Sequence, residues 1–279
     1  MTALGALDTA MWDLRGKAAG KPVAEILGPY RSDVPAYASG LLWKDDPDEL
    51  GSEAAGYAEQ GYRRVKMRLA RSEEYDTAAV LSVRKAVGPS IDIMVDGSMR
   101  YPMEAAERMA RFFEQQGVFW FEEPFAPEDI DSFVQLRSRV SIPLAAGENE
   151  FGVQGFRELL RAGAIDIAQP DVSRAGGISE CFRIGQLAAR SGARVATHSW
   201  SDAIAIVGNM HLIAALPTGI TVEIDCSGNP MVDELLIEPL QVKDGVLRLS
   251  QAPGLAACRR GGLSPRYLAD YGNYLSETA

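Results

Sequence analysis

Three acids set the terms for any chemistry this chain performs. Asp96, Glu122 and Glu148 close the apolar runs IDIMVD, VFWFEE and IPLAAGE, with 26 residues from each to the next. Taken singly, each acid is as well explained by a helix cap or an arginine partner. Three carboxylates delivered to one cavity repel one another and lose hydration unless a cation lies among them. An all-oxygen donor set without Cys or His suits Mg²⁺, with Mn²⁺ the alternative, rather than Zn²⁺. Glu123 follows Glu122 and points to the opposite side of a strand, the place for a supporting or helix-capping role.

Asp171 and His198 close the next two runs, IDIAQPD and ARVATHS. A carboxylate beside an imidazole fixes its tautomer and raises its basicity, the arrangement of a general base. His211, the other of the two histidines, lies in an apolar helical stretch and reads as a packing or capping residue. Lys66 and Arg68, in YRRVKMR, stand two apart and so share one strand face. Two cations directed into a cavity need anions to face, which the acids and an anionic substrate supply. Glu223 ends ITVEID, where it either bonds a developing enolate oxygen or forms an ion pair. A Schiff base on Lys66 is a weaker alternative, because that chemistry has no use for three converging acids.

These side chains need a scaffold that repeats. The seven runs recur at about the 25-residue length of one strand, one helix and two short loops. Buried parallel strands read as short apolar runs rather than strict alternation. A polar residue at the same end of each strand directs them all into one mouth, where α/β barrels keep their chemistry. Between the runs lie helical stretches such as PMEAAERMARFFEQQG, several ending in Gly. VPAYASGLL reads as the first strand, and Asp46-Pro47 opens a helix to about Gln60. The opening segment carries Leu4, Leu7, Met11 and Leu14 at helical spacing before Gly20-Lys21-Pro22 stops it. Near the end, Lys243-Asp244-Gly245 is a hairpin-type turn between two strand-like runs. The chain divides into a helical lead-in at 1–33, a barrel at 34–235 and a C-terminal segment at 236–279.

The chain has 279 residues, 47% hydrophobic and 24% charged, which suits one soluble barrel domain. A net charge of −10 argues against nucleic acid and anionic membrane as partners. Cys181, Cys226 and Cys258 have no metal-motif spacing and fit thiols in a reducing compartment. With no apolar run of membrane-spanning length and no signal-like start, a cytoplasmic location is expected.

The motifs VKMR, MVDGS, WFEEP, AGEN, QPDVSRAGG and ATHSW, in that order, resemble the enolase superfamily. Within it they look like the mandelate racemase subgroup, which includes acid-sugar dehydratases. Muconate cycloisomerase relatives carry a Lys on the sixth strand, where this chain has Asp171. The resemblance implies a TIM-type (β/α)7β barrel. It implies Mg²⁺ on Asp96, Glu122 and Glu148, a substrate carboxylate held there, and an enediolate formed when a base removes the α-proton. His198, oriented by Asp171, is then that base; Lys66 neutralises the carboxylate and Glu223 hydrogen-bonds the enediolate. Lys66, Arg68 and Ser98 are the implied substrate contacts, Ser98 standing where many dehydratases carry Asn.

Arg68 departs from the K-x-K racemase pattern, in which a second Lys is a base. Arginine keeps its proton, so one-base elimination is favoured over racemisation. The expected activity is hydro-lyase: dehydration of an aldonate or aldarate to a 2-keto-3-deoxy acid. A racemase or epimerase, and a catalytically silent barrel, are the alternatives. The sequence opens at the barrel helix, so an N-terminal α+β capping domain, on which the C-terminal segment would pack, is expected to be absent. The uncovered mouth makes a homo-oligomer an expectation as well.

Overall fold

A computed structural model describes residues 1–28 and 31–257. Eight parallel strands close into a barrel: β1 (Asp33–Leu41), β2 (Arg64–Arg68), β3 (Asp92–Asp96), β4 (Val118–Glu122), β5 (Leu144–Ala146), β6 (Ile167–Ala168), β7 (Arg194–Thr197) and β8 (Gly219–Asp225). Each pairs with the next, and β8 returns to β1, which also pairs with β2. Seven helices fill the connections: α3 (Pro47–Glu59), α4 (Glu73–Val87), α5 (Met103–Gln115), α6 (Ile130–Arg137), α7 (Gly152–Ala162), α8 (Ile178–Arg190) and α9 (Ala203–Ala215). The spacing led to an α/β barrel, and this is the (β/α)7β order that the resemblance implied. Helix starts follow the sequence signals. Asp46, Ser72, Asp129 and Asp202 each accept a hydrogen bond from a backbone N–H of the first turn they precede.

Strand side chains divide by parity. Val65, Met67, Ile93, Val95 and Phe121 face the helices and join the main core. Tyr37, Met94, Trp120, Ala145, Ile167 and Ala196 face inward and form a separate buried cluster. The Tyr37 and Trp120 rings meet edge to face with centroids 5.5 Å apart. The barrel interior is thus a packed plug, and the functional layer sits on top of it.

Two helices precede the barrel, α1 (Thr2–Ala19) and α2 (Val23–Leu27). In α1 the apolar stripe faces outward: Leu4, Leu7, Met11 and Leu14 are 55%, 66%, 63% and 59% exposed. The buried positions are Gly5, Thr9 and Gly16. A Cβ at Gly5 would lie 2.8 Å from the Val172 carbonyl oxygen, and one at Gly16 2.5 Å from the Gly254 Cα. The helix therefore docks backbone to backbone, with polar anchors: Asp8 accepts from Ser179 N at 2.9 Å and Ser179 Oγ at 2.6 Å, and Trp12 Nε1 donates to Ser179 Oγ at 2.8 Å.

The turn at Lys243-Asp244-Gly245 forms, with Asp244 and Gly245 at φ 50° and 79°. The run before it does not become the expected strand. Pro239 interrupts it, removing a ladder donor. The strand after the turn, β9 (Val246–Arg248), instead pairs antiparallel with Asp33–Pro35 of β1, a stretch that precedes β1's barrel pairings. Between β8 and this turn lies one short helix, α10 (Pro230–Asp233). Cys258 and the rest of 258–279 lie outside the described residues. Among the described residues no helix is long and apolar enough to cross a membrane.

His211 is buried on α9 and ties three segments together. Its Nδ1 accepts from Ala24 N and its Nε2 donates to Leu255 O, both at 3.1 Å. Burial pushes its pKa down from 6.5 to about 4. A histidine that charges more readily when unfolded withdraws stability as pH falls. That contribution is intact above pH 6.5, declines from there to pH 4, and is unchanged below. The full loss amounts to about 3 kcal/mol. Urea unfolding should show this acid slope, and His211→Gln should flatten it while lowering stability at neutral pH.

Candidate active site

Register builds the metal-type cluster. Arg68 stands opposite Asp96, and Asp96 opposite Glu122, at the carboxyl ends of β2, β3 and β4. Glu148 follows from the turn after β5. One carboxylate oxygen from each of Asp96, Glu122 and Glu148 lies within 4.8 Å of the others. Asp96 Oδ1 accepts from Ser98 N at 2.7 Å, and its Oδ2 ion-pairs with Arg68 Nη2 at 3.0 Å. Glu122 is fully buried: Oε1 faces Lys66 Nζ at 2.6 Å, and Oε2 accepts from Gln169 Nε2 at 2.8 Å and Trp120 Nε1 at 3.1 Å. Glu148 Oε2 has no hydrogen-bond partner among the described residues. Burial first, and then mutual repulsion, hold the Asp96 carboxyl above its usual range. Burial likewise raises Glu122, with Glu148 and Glu223 adding to it against the pull of Lys66.

Across the mouth, His198 Nδ1 lies 2.8 Å from Asp171 Oδ2. Asp171 Oδ1 is taken by Ser173 N and Ser173 Oγ, each at 2.8 Å. This arrangement assigns the proton to Nδ1 and leaves Nε2 to face the cavity. Nε2 lies 3.5 Å from Glu148 Oε2 and 4.0 Å from Glu223 Oε2. Burial opposes charging of His198, but Glu223, Glu148 and Asp171 outweigh it and raise its pKa to about 9.

Lys66 Nζ bridges Glu122 and Glu223, the latter at 2.8 Å. Burial works against its charge, and the two carboxylates overcome that and hold it as an ammonium. An ammonium is no nucleophile, so a Schiff base at Lys66 has no support. Burial of Glu223 is likewise overridden by Lys66 and His198, leaving its pKa at about 2. The expected hydrogen bond from Glu223 to an enediolate requires a protonated carboxyl. In this structure Glu223 Oε1 ion-pairs with Lys66 and Oε2 accepts from Ser199 N, each at 2.8 Å.

The three implied substrate contacts differ in availability, and Lys66 is held between Glu122 and Glu223. Arg68 is engaged with Asp96, whereas the Ser98 Oγ is buried with no hydrogen-bond partner among the described residues. Ser98 and Met99 hold left-handed φ values of 50° and 60° on the turn after β3. Glu123 takes the supporting place: Oε2 accepts from Asn149 Nδ2 at 2.8 Å and Oε1 from Gly147 N at 3.4 Å, bracing the turn that carries Glu148. Sequence reasoning missed Gln169 and Trp120, yet each stands two residues before a functional acid, Trp120 on the same face of β4 as Glu122 and Gln169 just past the end of β6, before Asp171. It also missed Asn209, which donates to the His198 carbonyl at 3.0 Å and accepts from Val172 N at 3.3 Å. That link is tertiary and leaves no local signal.

A profile of the family described as enolase C-terminal domain-like matches residues 49–257. The D-galactarolactone cycloisomerase of Agrobacterium fabrum is 34% identical over 267 residues, covering 91% of this chain and 71% of the relative. The arabinonate dehydratase of Saccharolobus solfataricus is 33% identical, covering 95% and 71%. Among solved structures, an L-talarate dehydratase from Polaromonas sp. JS666, complexed with Mg and L-glucarate, superposes with a TM-score of 0.85 at 31% identity, covering 93% and 71%. With its closed barrel and its ordered set of strand-end residues, the chain belongs to the enolase C-terminal domain-like family, in the mandelate-racemase-type branch of the enolase superfamily.

Proposed function

We propose that this chain carries out Mg²⁺-dependent dehydration of a sugar acid, removing the proton α to a carboxylate and expelling the β-hydroxyl to leave a 2-keto-3-deoxy acid. The observation that carries this reading is a three-carboxylate cluster facing an Asp-His dyad across one mouth, 3.5 Å apart at Glu148 and His198. The residues fit a hard divalent cation: the donors are all oxygen, two of the acids are raised by burial and then by neighbouring carboxylates, and Glu148 Oε2 has no hydrogen-bond partner among the described residues. Asp96, Glu122 and Glu148 would hold it, Mn²⁺ being the alternative ion. When bound, Mg²⁺ supplies positive charge against the substrate carboxylate as that group gathers electrons.

The chain's own groups do the rest. His198 Nε2 takes the α-proton, and Asp171 holds the tautomer and stabilises the imidazolium formed. A Glu148 engaged with a cation contributes less to raising His198, which moves the imidazole back toward the neutral, basic form. The imidazolium is then a proton source for the departing β-hydroxyl, which leaves as water. Lys66 keeps a fixed positive charge beside the substrate carboxylate, and Glu223 holds Lys66 in place. Arg68 supplies no second base, so exchange is confined to one face.

A second reading is cycloisomerisation or epimerisation, favoured by the cycloisomerase name of one relative. It shares the proton-abstraction step and differs in what leaves. The test is incubation with Mg²⁺ and a panel of aldonates, aldarates and their lactones in D₂O, followed by mass spectrometry. Dehydration gives a keto acid lighter by one water apart from solvent deuterium taken up at C3 when the enol ketonises. A product of unchanged mass apart from solvent deuterium at Cα selects the second reading. A Mg²⁺-loaded chain that exchanges no α-proton on any substrate refutes both.

A further inference from the structure

We infer that Gln169 and Trp120 are positioning residues for Glu122, clamping its carboxylate in the orientation that serves the cation site. The inference rests on the metal-site reading above and goes beyond its three acids. Glu122 differs from the other two acids in how it is held. Asp96 is held by a backbone N–H and an arginine, and Glu148 Oε2 has no hydrogen-bond partner among the described residues. Glu122 Oε2 receives two neutral side-chain donors from the barrel floor.

Neutral donors fix a carboxylate without cancelling its charge, which is what a ligand to a cation needs. Lys66 touches only Oε1 and is shared with Glu223, so alone it would leave the carboxylate free to turn about that contact. The two bonds to Oε2 define the carboxylate plane. Both donors are themselves locked. Trp120 is fully buried with Tyr37 edge-on to its ring, and Gln169 is fully buried beside the inward cluster. The Gln169 amide has one permissible sense: reversed, its oxygen would face Glu122 Oε2. Its Oε1 has no partner among the described residues, so the single bond to Glu122 is what the amide is placed to make. Such outer-shell donors orient the ligand in advance of the metal.

The test is Mn²⁺ titration of the whole chain, with free Mn²⁺ read by electron paramagnetic resonance. Gln169→Met and Trp120→Phe keep bulk and remove the donors. Each is expected to weaken Mn²⁺ binding by about 10- to 100-fold. In a Glu122→Gln background the same changes should add less than about twofold, because the clamp has lost its charged target. If Gln169→Met does not fold by circular dichroism, Trp120→Phe, which keeps a ring against Tyr37, decides alone. Folded variants that bind Mn²⁺ as the parent does overturn the inference and leave the metal site standing. So does an undiminished loss in the Glu122→Gln background. A parent chain that binds no Mn²⁺ removes the metal site itself, and the inference with it.

Discussion

Replacing His198 with Asn is expected to lower keto-acid formation by about 10²–10⁴-fold, the usual worth of a positioned general base. Asparagine can keep a polar contact to Asp171 but offers no basic nitrogen toward the cavity. Solvent exchange of the substrate α-proton should fall in parallel, because both outcomes need the same abstraction. Divalent-ion binding should survive, since Glu148 loses a neighbour and keeps its charge. Asp171→Asn probes the same step from behind. An amide NH₂ facing Nδ1 favours the tautomer with its proton on Nε2, the atom that must accept. The side chain volume hardly changes, so a loss of similar size would come from the tautomer. Keto-acid formation that persists in His198→Asn would move the base to another residue.

The second large effect concerns charge. Without a cation, three acids share a cavity in which burial and repulsion already raise two of them. Adding Mg²⁺ at about 100 times its Kd should stabilise the parent by about 2.7 kcal/mol. For a domain of this size that is a rise in Tm of about 5–10 °C. Glu148→Gln should abolish the rise and the activity together. In EDTA the variant should melt no lower than the parent, because relief of repulsion from Asp96 and Glu122 offsets the loss of the 3.5 Å contact with His198. Differential scanning calorimetry with and without Mg²⁺ checks both halves. A parent whose Tm ignores Mg²⁺ would count against the metal site. A variant that melts well below the parent in EDTA would show that Glu148 stabilises the fold.

Much of the site was legible because strand period and chemistry coincide. Each of Asp96, Glu122, Asp171, His198 and Glu223 closes an apolar run, and the parallel register turns that into one rim. Arg68 opposite Asp96 opposite Glu122 is the same statement in three dimensions. The ionised state of Glu223 was not legible, because it depends on Lys66 and His198 arriving from other strands. Nor was the destination of β9. A turn fixes where a chain reverses, but the free edge beside Asp33–Pro35 exists only once the barrel has closed. Hydropathy found the stripe on α1 and could not say which way it faces.

That outward stripe gives α1 two independent handles for protein engineering. A substitution scan scored on folding would run against hydropathy along this helix. Lys or Glu at Leu4, Leu7, Met11 or Leu14 should leave folding of this chain intact, since these side chains are more than half exposed among the described residues. A single methyl at Gly5 or Gly16 should cost about 1–3 kcal/mol, because it meets backbone that cannot move aside. Surface design there can proceed without disturbing the residues at the barrel mouth.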